Sequence, residues 1–296
     1  MLLSTLTAPI ASVLNGPAGA VHLLANAGFD AYDFSMFDSS ESNPVFGDNW
    51  KVHLQTVKDT AAERGIVCNQ AHAPFPSLDV DTPKNAEYNR TIYDKLVRAI
   101  QSAGYLGAKV IVVHPIQHLP FRDNEAYLKD MNMDFYRSLA PVAKAAGVKI
   151  ALENMWQRDK KRHYIIDSTC ASPQSFCDYL DTLGDDCFTA CLDLGHCALC
   201  GYEAAELIRG LGHARLGALH VHDNDCLKDQ HTVPYCGRTD WDSVCDALSE
   251  INYTGDFTFE AGAFLSGIPT DFLPEAASYL CHLGRYLINK IKRNLK

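Results

Sequence analysis

Short apolar segments alternate with longer amphipathic segments along the whole chain. The short segments are rich in β-branched residues and predict strands, whereas the longer ones carry apolar residues at helical spacing. Strands are predicted near residues 2–10, 31–37, 66–74, 108–115, 148–154, 188–194, 216–222 and 255–261. Successive strands are about 30 to 40 residues apart, the length of one strand, one helix and their loops. Eight such units predict an α/β fold, a single (β/α)8 TIM barrel in which residues 1–296 form one domain.

Glycines and a final amphipathic segment mark where helices are predicted to end. Five glycines stand just before predicted strands, where a helix C-cap is expected: Gly28, Gly65, Gly107, Gly147 and Gly255. From Pro274 to Lys296 the apolar residues form one stripe, which predicts a last amphipathic helix. Its basic end suits the negative end of a helix dipole.

An open, doubly wound sheet is the alternative architecture for alternating strands and helices. It would need a glycine-rich phosphate turn, G-x-G-x-x-G, directly after the first strand. Residues 15–20 are NGPAGA and have neither that spacing nor a tight strand-to-helix turn. The first 20 residues also lack a basic region, so we expect the first barrel strand there and not a signal peptide.

Composition and charge narrow the class of protein. With 47% hydrophobic and 21% charged residues, the chain can bury a large core. A formal net charge of −10 argues against a nucleic-acid partner, because binding to phosphate backbones relies on lysine and arginine. No apolar run approaches about 18 residues, the length that a membrane-spanning helix needs. The odd number of cysteines, 11, favours reduced thiols and a cytoplasmic location over a disulfide framework.

Candidate chemistry is concentrated at the predicted strand ends. Six strands end on a side chain that can bind a metal: His72, His114, Glu153, Asp193, His220 and Glu260. In a parallel barrel the carboxyl ends of the strands meet at one mouth, so these side chains are expected to lie together. A carboxylate at the end of a buried strand is costly unless it is paired or binds a metal. Three carboxylates and one imidazole there predict an oxygen-rich site for a shared divalent cation.

The order and spacing of short motifs resemble those of a known family. The motifs are HAPF at 72–75, HP at 114–115, LEN at 152–154, DLGH at 193–196, HVHDND at 220–225, H-x-x-P at 231–234, G-x-x-D-W at 237–241 and TFE at 258–260. With them the chain resembles the xylose-isomerase-like TIM barrel superfamily, in particular its sugar isomerase/epimerase group, to which apurinic endonucleases are related. The resemblance covers nearly the whole chain.

This resemblance implies a metal-dependent enzyme that acts on a small sugar or polyol. It assigns a divalent cation to Glu153, Asp193, His220 and Glu260, with Mn²⁺ expected first and Mg²⁺, Co²⁺, Fe²⁺ or Zn²⁺ as alternatives. Glu153 and Glu260 are the implied catalytic pair. One carboxylate can remove a proton next to a carbonyl while the other returns it on the opposite face. The expected reaction is isomerisation or epimerisation of a sugar, sugar phosphate or polyol through a metal-stabilised enediolate.

The remaining histidines leave two interpretations open. Four of them are expected to bind substrate around a single ion: His72, His114, His196 and His231. Three of these four, together with Asp229, also fall where the nuclease branch of the family places ligands for further ions. His222 is predicted on the strand face opposite His220, in a packing or supporting role, with an extra metal as the alternative.

A tryptophan and a basic run follow the predicted fifth strand. Trp156 is expected to stack on a sugar face or to pack at the barrel rim. The run from Arg158 to His163 is typical of a solvated loop. Its position just beyond Glu153 also suits the binding of an anionic or phosphorylated substrate, and Arg158 would then be a substrate-binding residue.

Three other functions are compatible with the same predicted barrel. A lyase or dehydratase, including one that cleaves C-glycosides, would eliminate a leaving group at the same site. An apurinic endonuclease would use a cluster of zinc ions, and the acidic net charge argues against it. A non-catalytic partner subunit is disfavoured by the complete set of predicted ligands. The helical outer faces allow a homo-oligomer, but no sequence feature marks one.

Overall fold

Eight parallel strands form a barrel wall in the computed structural model, which describes residues 1–184 and 186–294. The strands of the chain are β1 (Leu3–Thr5), β2 (Ala31–Ser35), β3 (Val67–His72), β4 (Val110–Val112), β5 (Lys149–Glu153), β6 (Trp156–Arg158), β7 (Ile165–Asp167), β8 (Phe188–Asp193), β9 (Leu216–His220) and β10 (Phe257–Phe259). Strands β6 and β7 pair only with each other, as an antiparallel hairpin. The other eight follow one another round the wall in chain order.

Two short junctions close the wall. Strands β2, β3, β4, β5, β8 and β9 form one continuous parallel sheet, and β1 pairs in parallel with β10. Single bridges join these units, because Leu6 pairs with Asp33 and Val221 pairs with Phe259. Each of the eight strands thus has two neighbours, so the barrel wall has no open edge, which confirms the predicted TIM barrel.

Helices surround the barrel. They are α1 (Ala8–Ala11), α2 (Gly16–Ala27), α3 (Trp50–Arg64), α4 (Ala86–Leu106), α5 (Phe121–Ala146), α6 (Pro173–Leu183), α7 (Leu194–Leu199), α8 (Ala204–Arg215), α9 (Trp241–Glu250), α10 (Gly262–Ser266) and α11 (Leu273–Asn294), with short 3-10 helices at Pro44–Phe46 and Thr270–Phe272. Apolar side chains of strands and helices pack together into one large core, which excludes water from both layers. None of the helices in the described ranges is both long and apolar enough to cross a membrane.

A small apolar layer lies beneath the strand ends that carry the candidate ligands. It contains one residue from each of four neighbouring strands: Val112, Ala151, Cys191 and Ala218. Each precedes a candidate ligand by two residues and therefore shares its strand face. The ligands at the mouth consequently rest on a packed, dry surface inside the barrel.

The predicted helix ends are confirmed at four of the five glycines. Gly28, Gly65, Gly107 and Gly147 are C-caps with φ between 70° and 95°, a left-handed conformation that glycine adopts at little cost. Gly255 is not a helix cap, because α9 ends at Glu250. Its lack of a side chain instead allows close packing, since a Cβ there would lie 2.8 Å from the carbonyl oxygen of Gly217.

The ends of the chain differ in detail from the prediction. The first strand was predicted over 2–10, but residues Ala8–Ala11 form a helical turn, with proline at its beginning. The last helix is described from Leu273 to Asn294, and positions 295–296 of its predicted range lie outside the described residues. That residues 1–296 form one domain stays a prediction.

Candidate active site and metal centre

The four predicted ligands converge at the carboxyl end of the barrel. Glu153, Asp193 and His220 are the last residues of β5, β8 and β9, and Glu260 follows β10 directly. All four side chains are buried, and one ligand atom of each lies within 4.8 Å of the others. Four consecutive strands of the wall therefore place three carboxylates and one imidazole around a single point.

His220 lies between the two glutamates. Its Nδ1 atom is 3.0 Å from Oε1 of Glu153 and 3.2 Å from Oε2 of Glu260. Oδ2 of Asp193 is 4.0 Å from the same nitrogen. The two carboxylates predicted as the catalytic pair thus both contact the same nitrogen of one imidazole ring.

His72 and His114 form a second group with Glu153. Nε2 of His114 lies 3.0 Å from Oε2 of Glu153, and Nε2 of His72 lies 3.7 Å from it. Two aromatic rings line this side: Phe75 stacks on His114 at 4.7 Å, and Phe37 meets His72 edge-on at 4.8 Å. Both histidines therefore lie at the mouth as predicted, next to an apolar wall.

A third group lies beside the first and contains His196, His222, Asp229 and His231, whose ligand atoms are also within 4.8 Å of one another. Oδ2 of Asp229 is 3.4 Å from Nε2 of His196 and 3.2 Å from Nε2 of His231. The indole N–H of Trp156 donates to the same oxygen at 3.2 Å. Trp156 therefore orients Asp229, and its predicted stacking on a sugar stays a prediction.

The predicted orientation of His222 was wrong. Its Nε2 lies 2.9 and 3.0 Å from the two carboxylate oxygens of Asp193, and its ring stacks on His231 at 4.1 Å. Residues two apart in a strand share a face, so His222 continues the face of His220 into the site. The hydrogen bond to Asp193 fits the supporting role that was expected.

Arg158 lies apart from these three groups. It is exposed on the β6–β7 hairpin, and its Nη1 donates to the carbonyl of His163 at 2.7 Å. Neither Arg158 nor any other arginine or lysine in 1–184 and 186–294 forms an ion pair with the carboxylates of the three groups. Among the residues that the structure describes, histidines are therefore the only cationic partners of these carboxylates.

The donor set fits a divalent cation. Oε2 of Glu153, Oε2 of Glu260 and Oδ1 of Asp229 are buried and receive no hydrogen bond from the described residues. Nε2 of His114 approaches the first of these atoms closely, but without the alignment of a hydrogen bond. A buried carboxylate oxygen without a donor is unfavourable, and a bound cation removes that cost. Oxygen-rich ligands with one imidazole suit Mn²⁺, Mg²⁺ or Co²⁺ better than a closed structural zinc.

Charge coupling shifts the pKa values of the central groups. Burial lowers the pKa of His220, but Cys191, Glu260 and Glu153 outweigh burial and raise it well above its usual value. Burial raises the pKa of Glu153, but His220 and His114 hold it well below its ordinary range. Glu260 behaves like Glu153, because His220 outweighs the effect of its burial. Without a metal, His220 is therefore protonated between two charged carboxylates.

The third group shows the same pattern. Burial lowers the pKa of His196, but Asp193 and Asp229 raise it well above its usual value. Burial also lowers the pKa of His231, but the hydrogen bond to Asp229 raises it to about 10. His196 and His231 are thus held as cations around Asp229, whose own pKa is lowered by them in spite of its burial.

The comparison with protein families decides the identity of the fold. A family model described as a xylose isomerase-like TIM barrel matches residues 21–277. The chain belongs to this family. The resemblance predicted from the HAPF, LEN, DLGH and TFE motifs is thereby confirmed.

Individual relatives within and around the family are distant in sequence. An uncharacterized protein of Mycobacterium leprae is 26% identical over 264 residues, covering 85% of this chain and 89% of that protein. D-psicose 3-epimerase of Ruminiclostridium cellulolyticum is 24% identical over 254 residues, covering 83% and 78%. A solved structure of a D-tagatose 3-epimerase-like protein superimposes with a TM-score of 0.77 at 19% identity, covering 100% of both chains. D-psicose 3-epimerase solved in the presence of D-fructose gives a TM-score of 0.74 at 16% identity, covering 97% and 99%.

Asn154 is a site residue for which the sequence suggested no role. Its side chain accepts a hydrogen bond from the N–H of Asp193 at 2.8 Å and donates to the carbonyl of Asp193 at 2.9 Å. Its own carbonyl oxygen lies 2.8 Å from Nδ1 of His196. Asn154 therefore fixes β5 against β8 at the level of the ligands. The available signal was the LEN motif, a polar residue directly after a strand-end carboxylate.

We expect the affinity for a divalent ion to rise with pH and binding to release protons. The pKa of His220 is raised in the metal-free protein, so a metal must displace its proton at any pH below that pKa. Affinity should therefore fall as the pH falls, about tenfold per pH unit for each displaced proton. Calorimetric titration with Mn²⁺ in two buffers of different ionisation enthalpy counts these protons. Equal heats in both buffers would contradict a protonated His220.

Gly195 leaves room for the ring of His222, because glycine has no Cβ atom. A Cβ atom at position 195 would lie 2.0 Å from Cε1 of His222, far inside van der Waals contact. Gly195→Ala is therefore expected to push the ring away from Asp193 and to destabilise the fold by about 1–3 kcal/mol, the usual cost of overpacking. Thermal unfolding and bound-metal content measure the two effects.

Gly47→Ala is the matched control for this substitution. A Cβ at position 47 would have its nearest neighbour, the carbonyl oxygen of Pro44, at 3.7 Å. If Gly195→Ala unfolded at the same temperature as Gly47→Ala and kept the same metal content, close packing against His222 would contribute neither to stability nor to metal binding.

Proposed function

We propose that this protein is a divalent-metal-dependent isomerase or epimerase that moves a proton next to the carbonyl of a small sugar or polyol. The observation that carries the proposal is the convergence of Glu153 and Glu260 on one nitrogen, since their oxygens lie 3.0 and 3.2 Å from Nδ1 of His220. Two carboxylates that face a common point can serve opposite faces of one substrate carbon. The relatives named D-psicose 3-epimerase and D-tagatose 3-epimerase-like protein support the same reaction class.

Four residues would hold the metal in this proposal: Glu153, Asp193, His220 and Glu260. A bound divalent cation, with Mn²⁺ preferred, polarises the substrate carbonyl and stabilises the negative charge that develops on its oxygen. His222 and the N–H of His196 donate to the Asp193 carboxylate, which fixes that ligand. The pairing of Asn154 with Asp193 keeps two of the ligand strands in register.

Proton transfer is assigned to the two glutamates. Oε2 of Glu153 and Oε2 of Glu260 receive no hydrogen bond from the described residues, so each is available to accept a substrate proton. One glutamate removes the proton from the carbon. The other takes a proton from solvent water and delivers it to the opposite side of the carbon, which inverts the centre, and the first glutamate then releases its proton to solvent. The pKa of each carboxyl is held low by His220, so both begin as bases in the metal-free protein.

The surrounding polar side chains are proposed to bind the substrate. His72 and His114 lie on the Glu153 side, and His196, His231 and Trp156 lie on the other side. Imidazole N–H groups can donate hydrogen bonds to sugar hydroxyls. The rings of Phe37 and Phe75 close one wall and limit the access of water to the reacting carbon.

Proton exchange tests the proposed function directly. The metal-loaded protein is incubated with a panel of ketoses, aldoses and polyols in deuterated water, and deuterium incorporation is located by NMR. We expect deuterium at one carbon next to the carbonyl, together with an epimer or isomer of the sugar. An elimination product in place of a new sugar would assign the lyase or dehydratase reaction instead. No incorporation into any sugar with Mn²⁺ bound would refute proton transfer altogether.

One observation favours a second candidate function, hydrolysis of a phosphodiester at a metal cluster. The three groups around Glu153, His220 and Asp229 offer ligand atoms for more than one ion. For the isomerase we expect one tightly bound ion, with His72→Ala, His114→Ala and His231→Ala variants that keep it. Two or three tight zinc ions in the purified protein, lost one by one in these variants, together with nicking of abasic DNA, would assign the second candidate.

We also propose that the protein acts as one catalytic domain in the cytoplasm. All eleven cysteines are free thiols. Seven are buried, five of them in barrel strands or in the surrounding helices, which suits a reducing compartment. Sedimentation analysis of the metal-loaded protein would decide between a monomer and a homo-oligomer.

A further inference from the structure

A cleft with an excess of positive charge opens on the same side of the barrel as the metal site. It has a volume of about 680 Å³ and lies between the beginning of α5 and the β6–β7 hairpin. Its lining includes five cationic side chains: Arg122, Arg158, Lys160, Lys161 and Arg162. Only two carboxylates, Asp123 and Asp159, line it as well. This local excess of cations contrasts with the net charge of −10 for the whole chain.

Both walls of the cleft begin at residues of the candidate active site. One wall includes residues 117–123, which start three positions after His114. The other wall is the hairpin that starts at Trp156, three positions after Glu153. Trp156 donates to Asp229 at the mouth, and Arg158 is two residues further along the same strand, about 7 Å away at the usual rise per residue. The cleft therefore continues outward from the metal site.

Several of the cations have no partner that neutralises them. Arg162 is paired with Asp159 at 3.1 Å, and Arg158 donates to a backbone carbonyl, which leaves its charge in place. The side chains of Arg122, Lys160 and Lys161 form no hydrogen bond or ion pair with any residue in 1–184 or 186–294. Unpaired guanidinium and ammonium groups around one concave space are the usual means of binding a phosphate or carboxylate.

We propose that this cleft binds a phosphate group on the substrate, at the end of the sugar remote from the carbon that exchanges its proton. The inference rests on the proposed function for the position of the reacting carbon, and it adds the substrate class, a phosphorylated sugar. A phosphate is favoured over a carboxylate because its higher charge and three terminal oxygens can engage several cations at once. Neutral sugars would bind at the metal site without this contact.

The first experiment compares a ketose with its terminally phosphorylated form. For the metal-loaded wild type we expect kcat/KM to be at least about tenfold higher for the phosphorylated sugar, as one or two charge-assisted hydrogen bonds provide. In the double variant Arg122→Gln/Lys161→Gln this preference should fall by at least about tenfold, mainly through KM. Lys292→Gln, an exposed lysine on α11, is the matched control and should keep the preference.

The second experiment does not depend on catalysis. Calorimetric titration of the metal-loaded protein with inorganic sulfate should show a site in the wild type and in Lys292→Gln that Arg122→Gln/Lys161→Gln lacks. A uronic acid is tested in parallel as a carboxylate ligand. If the cleft is a carboxylate site, the kcat/KM for the uronic acid will be as high as that for the phosphorylated sugar. That outcome would overturn the assignment to phosphate.

The outcomes separate this inference from the proposed function. Proton exchange with equal efficiency on both sugars, and sulfate binding unchanged in the double variant, would leave the isomerase standing and refute the phosphate site. Loss of sulfate binding in the double variant, without proton exchange in any sugar, would refute the isomerase and support the anion site. The hairpin would then be a binding element for a different phosphorylated substrate.

Discussion

Replacing Glu260 or Glu153 by glutamine is expected to lower kcat at least about 10²-fold, the scale on which a general acid or base contributes. Glutamine keeps the shape of glutamate but cannot accept a proton from carbon. Each variant should also bind the metal more weakly, because each carboxylate lies within reach of the same ion site as His220. Steady-state rates at saturating Mn²⁺, with bound metal measured in the same samples, separate the two effects.

An exposed glutamate provides the control for these variants. Glu63 lies on the outer surface of α3, and Glu63→Gln should change neither rate nor metal content. A Glu260→Gln protein that holds its full complement of metal and keeps a rate close to that of the wild type would remove Glu260 from proton transfer. The same result for Glu153 would leave Glu260 as a single base, which suits isomerisation on one face better than epimerisation.

Removal of the metal is expected to abolish the activity and to lower the melting temperature by several degrees. At a metal concentration 100-fold above Kd, binding adds about 2.7 kcal/mol to the free energy of unfolding, and about 1 kcal/mol corresponds to 2–4 °C for a chain of roughly this size. The melting temperature is expected to fall because the carboxylates of Glu153, Asp193 and Glu260 are buried close together. None of them has an arginine or lysine partner in the described ranges. Dialysis against a chelator followed by thermal unfolding measures it.

The order in which metals restore activity provides the internal check. Mn²⁺ should restore both the rate and the melting temperature, and Mg²⁺ or Co²⁺ should do so in part, since all three accept oxygen ligands together with one imidazole. Full activity after removal of the metal by a chelator would show that the four proposed ligands, Glu153, Asp193, His220 and Glu260, do not bind a metal needed for catalysis. Asp193→Asn is a useful comparison, because it weakens the metal site without touching either proposed base.

The strand-end residues could be predicted because one rule governs them all. Glu153, Asp193 and His220 each terminate an apolar strand, and the barrel brings every strand terminus to the same mouth. The prediction needed only the period of the pattern and the order of the strands. The face of His222 was mispredicted for a different reason. Residues two apart in a strand point to the same face, so His222 shares the face of His220.

The loop after β9 could not be predicted from local pattern. Asp223 is buried and accepts hydrogen bonds from the N–H groups of Asn224, Tyr235 and Thr239, and from the indole of Trp241. These contacts fold residues 224–240 back over the mouth, which brings the acid at position 229 to the histidines. Such a hub depends on partners up to 18 residues apart, so no short window of sequence reveals it.

The β6–β7 hairpin was missed for a related reason. Its strands, Trp156–Arg158 and Ile165–Asp167, are three residues long and none of their side chains is fully buried. Neither strand shows the apolar alternation that marks a half-buried strand. Only the pairing of Trp156 with Asp167 and its neighbours defines the hairpin, and that pairing requires the three-dimensional fold.

The closure of the barrel between its first and last strands has a consequence for how the chain folds. Leu3 pairs with Phe257, and the N–H of Leu2 donates to the carboxylate of Asp256, 254 residues further along. During synthesis β1 therefore cannot pair with β10 until residues 257–259 have left the ribosome. Closing so long a loop slows folding and leaves two strand edges exposed to other chains in the meantime. Because Glu260 follows directly after the closing strand, a nascent chain acquires its complete ion-binding set only at the moment when those edges disappear.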